Sequence, residues 1–169
     1  EYETPENLNN DLGLYKGNPF AKAGLEILWW TLASEINNIP LHKLLGGTRN
    51  QVKAGADFGV EKDIDTLLQK IQPAVDNDTP RVKLKIKQVL EAVSSTFPKT
   101  LFHVDCNGGY SLEDIEFFKS IDKIGLAFIE QPFEPEDLID HAKLSKILET
   151  PICLDESINS VNKAKQALE

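Results

Sequence analysis

The sequence predicts an α/β fold in which helices cover a parallel sheet. After Gln51, about five short apolar runs alternate with amphipathic helical stretches, and the runs are nearly continuous rather than broken by polar residues. Strands that are buried on both faces have this pattern, and repeated βα units make their strands parallel. A doubly wound sheet and a segment of a (β/α)8 barrel both have this pattern, so it does not choose between them.

The predicted strands and helices alternate along the second part of the chain. Apolar runs between turn signals predict strands at Val52–Val60, Val82–Ile86, Leu101–Val104, Leu126–Ile129 and Ile152–Leu154. Apolar residues at helical spacing predict helices at Asp63–Val75, Gln88–Thr96, Ser111–Ile121, Glu136–Leu148 and Ser160–Leu168. Ser111 and Asp114 form a variant capping box, with the shorter acid in place of Glu.

The residues up to about position 50 have a different character. Residues 1–18 are polar and show no sustained period, so we predict no regular element there. A helix begins after Asn18, has Pro in its first turn and continues to about Ile36. A short helix, Leu41–Leu45, ends at a pair of glycines. The change of pattern near residue 50 indicates a domain boundary.

The composition excludes several classes of function. The chain has 18 Lys and Arg against 27 Asp and Glu, a net charge of −9, so it lacks the basic surface that nucleic acids and anionic membranes require. No apolar run approaches the roughly 18 residues of a membrane-spanning helix, and no signal peptide opens the chain. Two cysteines are too few for a disulfide scaffold, and we expect a cytoplasmic protein. With no Met, and with its end inside a predicted helix, the chain is expected to be part of a longer protein.

Three acids follow three consecutive apolar runs. Asp105, Glu130 and Asp155 are evenly spaced, and each interval matches the length of one βα unit of a barrel, roughly 25–35 residues. Since neighbouring parallel strands lie about 4.8 Å apart, the three carboxylates are expected to converge at one edge of the sheet. An acid after a strand can instead cap a helix or face solvent, but the equal spacing favours a site for a hard cation such as Mg²⁺.

Two lysines share one face of the predicted strand Val82–Ile86. Lys83 and Lys85 are two residues apart, and residues at that spacing in a strand point the same way. A solvated edge strand is the alternative, but three more strands follow, so we expect this one to be interior. Lysines inside a barrel beside a metal can have depressed pKa values and act as bases, so we assign both to catalysis.

The connection after this strand is unusually short. The interval from Lys85 to Asp105 is shorter than the intervals between the three acids, and no turn residue separates the strand from the next helix. A βα connection normally has about 2–6 residues. We therefore expect a loop to be missing after Lys87, whose side chain is assigned as a charge at the rim of the sheet.

The histidines and cysteines receive packing or surface assignments. His103 is predicted to be a packed interior residue, whereas His42 and His141 are predicted to lie on helix surfaces. Cys106 and Cys153 lie near the acids, but neither has a second thiol or a histidine at ligand spacing. Both are therefore predicted to be small packing residues.

Four motifs stand in a fixed order along the chain. They are Lys83-Leu84-Lys85, Asp105-Cys106-Asn107, Ile129-Glu130-Gln131-Pro132 and Cys153-Leu154-Asp155-Glu156-Ser157. Together they resemble the muconate-lactonizing subgroup of the enolase superfamily, with the greatest likeness to o-succinylbenzoate synthases and N-acylamino acid racemases. The resemblance implies a partial (β/α)8-type barrel, residues 51–169, preceded by the helical tail of an α+β capping domain and a link helix, residues 1–50.

The resemblance also implies a role for each residue of the candidate site. Asp105, Glu130 and Asp155 would bind Mg²⁺. Lys85 would be the acid/base, and Lys83 would be its electrostatic partner near the substrate carboxylate. Asn107 and Glu156 would orient the site.

The chemistry implied is proton abstraction α to a carboxylate, giving an enediolate. The expected function is dehydration of a small carboxylate substrate to o-succinylbenzoate in menaquinone biosynthesis, by a homo-oligomer. N-acylamino acid racemase or dipeptide epimerase activity is the alternative within the same superfamily.

Two other classes of function stay open. In a Schiff-base barrel of the aldolase kind, Lys85 would be a covalent nucleophile, although the evenly spaced carboxylates argue against this. The resemblance also places a second lysine on the strand after Asp155, beyond this chain, so we expect the fragment to be inactive alone. A chain that truly ended here would be a non-catalytic fragment retained for folding or assembly.

Overall fold

The computed structural model describes residues 3–85 and 90–169. The chain divides into two compact units, Glu1–Val52 and Lys53–Glu169. The loop expected after Lys87, the end of the predicted strand Val82–Ile86 and the start of the predicted helix Gln88–Thr96 lie outside the described residues.

The first unit is helical. Its elements are α1 (Pro5–Gly13), α2 (Pro19–Asn37) and α3 (Leu41–Leu44). Helix α1 shows that the prediction of no regular element before Asn18 is wrong. The Thr4 hydroxyl caps α1 by accepting a hydrogen bond from the Asn7 backbone N–H, and Leu8 is buried. A good cap and one buried apolar turn therefore form a helix whose apolar period is too short to detect in the sequence.

The second unit contains a five-stranded parallel sheet. Its strands are β1 (Ala56–Phe58), β2 (Val82–Lys85), β3 (Phe102–Asp105), β4 (Ile129–Glu130) and β5 (Ile152–Cys153). They are hydrogen-bonded in the order β1-β2-β3-β4-β5. A doubly wound sheet reverses its strand order at a switch point, whereas a barrel segment keeps the order of the sequence. The topology therefore matches the partial (β/α)8-type barrel.

Each strand is followed by a helix at the place the periodicity predicts. The helices are α4 (Ile64–Asp76), α5 (Leu90–Thr96), α6 (Ile115–Asp122), α7 (Leu138–Ser145) and α8 (Val161–Leu168). A 3₁₀ turn, Leu112–Asp114, precedes α6, and the capping box predicted from Ser111 and Asp114 is formed there. Among the described residues, no helix is long and apolar enough to cross a membrane.

The hydrophobic core lies between the sheet and these helices. Val82 and Leu84 of β2, and Val104 of β3, are fully or almost fully buried. They pack in one cluster with Phe118 of α6 and Leu144 of α7. Because side chains alternate along a strand, this packing directs the other residues of β2 and β3 to the opposite face of the sheet.

Candidate functional site

The polar face of the sheet carries two lysines and two acids in register. Lys85 on β2 is the register partner of Asp105 on β3, and Asp105 is the partner of Glu130 on β4. The expected spacing therefore places Asp105 and Glu130 at equivalent positions. Lys83 lies on the same face as Lys85, as its spacing predicts.

Asp155 does not occupy the equivalent position on β5. The register partner of Glu130 is Cys153, so Asp155 lies two residues beyond the level of the other acids. At about 3.3 Å per residue, it is displaced by roughly 7 Å along the strand direction. The expectation of three acids at equivalent positions is wrong in this respect, because the step in register from β4 to β5 is two residues shorter than the interval between Glu130 and Asp155.

Both ammonium groups bind the same carboxylate. Lys83 Nζ lies 2.9 Å from Asp105 Oδ2 and 2.8 Å from Glu130 Oε1. Lys85 Nζ lies 2.6 Å from Asp105 Oδ2. The Asp105 side chain is only 1 % exposed, whereas those of Lys83 and Lys85 are 20 % and 32 % exposed. A buried carboxylate is thus neutralised by two cations that remain accessible from the open side.

These contacts shift the ionisation of both partners toward the charged forms. Burial raises the pKa of Asp105, but the hydrogen bonds from Lys85 and Lys83 outweigh it, and the pKa is lowered overall. Burial lowers the pKa of Lys83, but its hydrogen bonds to Glu130 and Asp105 prevail and raise it above its usual value. The expectation of a depressed pKa is therefore wrong for Lys83, because two carboxylates contact its ammonium group.

Asn107 and Glu156 extend the site from Lys85. The Lys85 ammonium also donates to Asn107 Oδ1, and Asn107 Nδ2 donates to Glu156 Oε1 at 3.2 Å. The backbone N–H of Asn107 donates to Asp105 Oδ1 at 2.9 Å, with Asn107 in the left-handed region at φ 46°. The structure therefore joins Asp105, Lys85, Asn107 and Glu156 in one hydrogen-bonded chain.

His103 lies beneath the acids on β3 and is buried, as predicted. Its Nε2 lies 3.4 Å from Glu130 Oε2, and its ring packs against Phe128 with centroids 4.4 Å apart. Burial, together with the positive charges of Arg81 and Lys83, lowers the pKa of His103 to about 4. His103 is therefore neutral near pH 7, and Nδ1 is a buried polar atom without a hydrogen-bond partner in the described structure.

The two cysteines have no ligand set of their own. Cys106 is buried, Cys153 is half-buried, and both are free thiols. Burial, reinforced by the negative charge of Asp105, raises the pKa of Cys106 to about 12, so its thiol stays protonated. The packing role predicted for both agrees with these surroundings.

The three acids do not form a closed metal-binding set. Within residues 3–85 and 90–169, no group of three His, Cys, Asp or Glu side chains is arranged to hold a metal ion. The expected convergence on one point is therefore not formed, because Lys83 binds Asp105 and Glu130 while Asp155 lies further along its strand. The donor chemistry does fit a hard divalent cation, since all three side chains supply carboxylate oxygens. Partial desolvation and the negative charges of Glu156 and Glu130 also raise the pKa of Asp155, as expected where carboxylates repel one another.

Two buried polar residues beside the acids were missed from the sequence. Gln131 is completely buried, and its carboxamide accepts hydrogen bonds from the backbone N–H groups of Asp155 and Ser157. His141 is also buried, so its predicted surface position is wrong. Its Nε2 accepts from the backbone N–H of Phe133 at 3.2 Å.

A sequence signal for His141 did exist. It lies three residues before Leu144 and seven before Leu148, and both leucines are buried. That spacing places His141 on the inner face of α7. Gln131, a polar residue within the mostly apolar run from Ile129 to Phe133, gave a weaker signal.

Comparison with known proteins gives a consistent result. The family model described as enolase C-terminal domain-like matches residues 51–169. The chain is 39 % identical to N-succinylamino acid racemase of Thermus thermophilus, over 98 % of this chain and 46 % of that protein. It is 38 % identical to o-succinylbenzoate synthase of Bacillus subtilis, over 100 % of this chain and 47 % of that protein.

A similar solved structure supports the same relationship. The crystal structure of an enolase superfamily member from Listeria innocua has a TM-score of 0.88 and 38 % identity, covering 99 % of this chain and 47 % of that one. The chain therefore spans about half the length of the curated relatives it matches.

Proposed function

Because the chain belongs to the enolase C-terminal domain-like family, we propose that the protein carrying it abstracts a proton from the carbon α to a carboxylate, through an enediolate. The observation that carries this proposal is the contact between the two ammonium groups of β2 and the carboxylates that end β3 and β4. Such a site combines a proton-transfer group with fixed positive charge, which is what a developing enediolate requires.

The two lysines take different parts in this chemistry. Lys83 keeps its proton, because Glu130 and Asp105 raise its pKa, and its role is to stabilise negative charge on the substrate. Lys85 is the more exposed of the two and is the acid/base, exchanging a proton with the substrate at Nζ. Asn107 holds the Lys85 ammonium in place through its Oδ1, and Glu156 in turn fixes the Asn107 carboxamide.

Asp105, Glu130 and Asp155 would hold Mg²⁺ in the proposed site. When bound, the ion supplies Lewis-acid stabilisation of carboxylate charge. The support for this assignment is the all-oxygen donor set and the mutual repulsion expressed in the raised pKa of Asp155.

The proposed reaction is dehydration of a small hydroxy acid to o-succinylbenzoate, the aromatic compound used in menaquinone biosynthesis. Its support is the 38 % identity to a synthase of that name. Racemisation of an N-acylated amino acid is the second candidate, supported by the 39 % identity to an N-succinylamino acid racemase. Both candidates begin with removal of an α-proton, so they share the roles given above to the lysines and acids.

Proton exchange in D₂O tests the proposal. The protein carrying this chain is incubated with Mg²⁺ and either the hydroxy acid or an N-succinylamino acid, and the α-proton signal is followed by NMR. We expect the signal to be lost, and we expect EDTA or Lys85→Ala to prevent this loss. Lys119→Ala is the matched control, because Lys119 lies on α6 in an exposed ion pair with Glu116.

The products then distinguish the candidates. Formation of o-succinylbenzoate supports the synthase, whereas interconversion of enantiomers, measured by chiral chromatography, supports the racemase. Activity that survives EDTA, with a borohydride-trapped adduct at Lys85, would contradict the proposal in favour of a Schiff-base mechanism. A protein that binds Mg²⁺ but exchanges no proton with either substrate would contradict both candidates.

A further inference from the structure

Gln131 lies at the end of β4, immediately after Glu130, and is completely buried. Its backbone has φ 37°, in the left-handed region that non-glycine residues rarely adopt. A buried carboxamide that is not hydrogen-bonded is costly, so its partners are informative. Both side-chain heteroatoms of Gln131 have partners, and these partners belong to the segment after β5 and to the residues just after β4.

The carbonyl end of the side chain binds the segment that carries Asp155. Gln131 Oε1 accepts from the backbone N–H of Asp155 at 2.9 Å and from that of Ser157 at 3.1 Å. The backbone N–H of Gln131 donates to the Cys153 carbonyl at 2.8 Å. Gln131 therefore extends the link between β4 and β5 past the end of the strand ladder.

The amide end fixes the orientation of the same side chain. Gln131 Nε2 donates to the Phe133 carbonyl at 2.9 Å and to Ser157 Oγ at 2.8 Å. His141 Nε2 accepts from the Phe133 backbone N–H and so holds that turn in place. A flipped carboxamide, with its oxygen and nitrogen exchanged, would set its oxygen against the Phe133 carbonyl, so only one orientation satisfies every partner.

Asp155 depends on this support more than the other two acids do. Asp105 and Glu130 belong to strands and are held by register and by lysines. Asp155 lies beyond β5, and within the described part of the chain its carboxylate has neither a hydrogen bond nor an ion pair. Its position is therefore set by its backbone, which Gln131 holds.

We propose that Gln131 is a positioning residue that presents the Asp155 carboxylate to the candidate metal site by binding the backbone N–H groups of Asp155 and Ser157. The inference rests on the proposed function insofar as it takes Asp155 to be one of the Mg²⁺ ligands. The positioning itself depends only on the hydrogen bonds described above.

The test compares two backbone clasps on either side of β5. Gln131→Met keeps the side-chain volume but removes the acceptor. Asp122→Ala is the matched control, because Asp122 accepts from the backbone N–H groups of Glu149 and Thr150, just before β5. The readouts are Mg²⁺ affinity by calorimetry and hydrogen exchange of the Asp155 and Ser157 amides in the protein carrying this chain.

We expect Gln131→Met to weaken Mg²⁺ binding by about 10–100-fold, the usual effect of losing a group that orients a metal ligand. It should also abolish protection of the Asp155 and Ser157 amides. Asp122→Ala should leave both readouts unchanged. Gln131→Glu, which retains the acceptor oxygen, should restore the protection.

The remaining outcomes separate the two proposals. Wild-type amides of Asp155 and Ser157 that exchange like unstructured ones, or a Gln131→Met protein with wild-type Mg²⁺ affinity, would overturn the role of Gln131. A wild-type protein that binds no Mg²⁺ yet loses amide protection in Gln131→Met would overturn the metal site and leave the positioning role supported. If Gln131→Met does not fold, Gln131→Asn replaces it, since Asn is one methylene too short to reach both amides.

Discussion

Lys85 Nζ lies 2.6 Å from Asp105 Oδ2, and the two residues are direct register partners on β2 and β3. Register partners project from the same face of a sheet, so strand pairing alone brings this ion pair together. Lys83 reaches the same carboxylate oxygen from two residues earlier. The candidate site is therefore assembled by the ladder that builds the sheet, and its charges contribute to the stability of that ladder.

Replacing the shared acid should reveal that contribution. Asp105→Asn keeps the shape of the side chain but leaves two ammonium groups without their common partner. Losing one partner of a buried ion pair costs about 3–5 kcal/mol, and we expect the lower end because both lysines are partly exposed. Urea unfolding of the protein carrying this chain measures the change in the free energy of unfolding.

The matched control for this substitution lies on α7. Asp140→Asn removes an acid from an exposed ion pair with Lys143, which water already screens, so we expect a much smaller change. Equal losses in the two variants would show that the interior position of Asp105 adds nothing to its pairing.

The fold could be predicted from the sequence to the extent that apolar period and spacing specify it. The runs around Val82 and Val104 gave correct strands, and the lysine pair was placed on the correct face, because alternation is a local property of a strand. The choice between a barrel segment and a doubly wound sheet could not be made in this way. Strand order is set by long-range pairing, and the described topology supplied it.

The site was predicted less completely because register is not visible in spacing. The interval between Asp105 and Glu130 is a true register step, but Glu130 pairs with Cys153, which precedes Asp155 by two positions, and this displaces Asp155. The pKa of Lys83 depended on two carboxylates from different strands, which no local pattern contains. Gln131 acts through backbone groups of the segment after β5, and backbone partners leave no mark on the sequence.

The two lysines should respond differently to arginine. Lys85→Arg keeps the positive charge beside Asp105, but a guanidinium does not release its proton in proteins, so the acid/base role is lost. We expect kcat to fall by about 10²–10⁴-fold, the usual contribution of general acid–base catalysis. Lys83→Arg keeps the charge that its proposed electrostatic role requires, so its loss of kcat should be smaller. A larger loss in Lys83→Arg than in Lys85→Arg would exchange the two assignments.

The capping box before α6 should make a measurable contribution to stability. Ser111 Oγ accepts from the Glu113 backbone N–H at 3.2 Å, and Asp114 Oδ2 accepts from the Ser111 backbone N–H at 2.9 Å. Ser111→Ala should lower the free energy of unfolding by about 1 kcal/mol, a typical value for a lost N-cap. Ser120→Ala on the same helix removes an exposed hydroxyl that bonds only a local carbonyl, and it should be close to neutral. Thermal unfolding of the two variants side by side would contradict the assignment if their midpoints coincide.

His103 should make stability depend on pH in the mildly acidic range. Its pKa is about 4 in the folded protein against an ordinary value near 6.5, so between these values the unfolded chain binds a proton that the folded protein does not. The free energy of unfolding therefore falls as the pH drops from about 6.5 to about 4, by up to roughly 3 kcal/mol. Asp105, whose pKa is lowered, adds its own loss only below its ordinary value of 3.8.

His103→Gln isolates this effect, because the amide can still donate to Glu130 but does not titrate. We expect chemical denaturation across this pH range to give a flatter profile for His103→Gln than for the wild type, while His42→Gln, at an exposed position on α3, keeps the wild-type slope. If the slope persists in His103→Gln, another group carries the proton uptake. The buried ring of His103 would then be tolerated in its charged form, with Glu130 Oε2, 3.4 Å from Nε2, as the counter-charge that stabilises it.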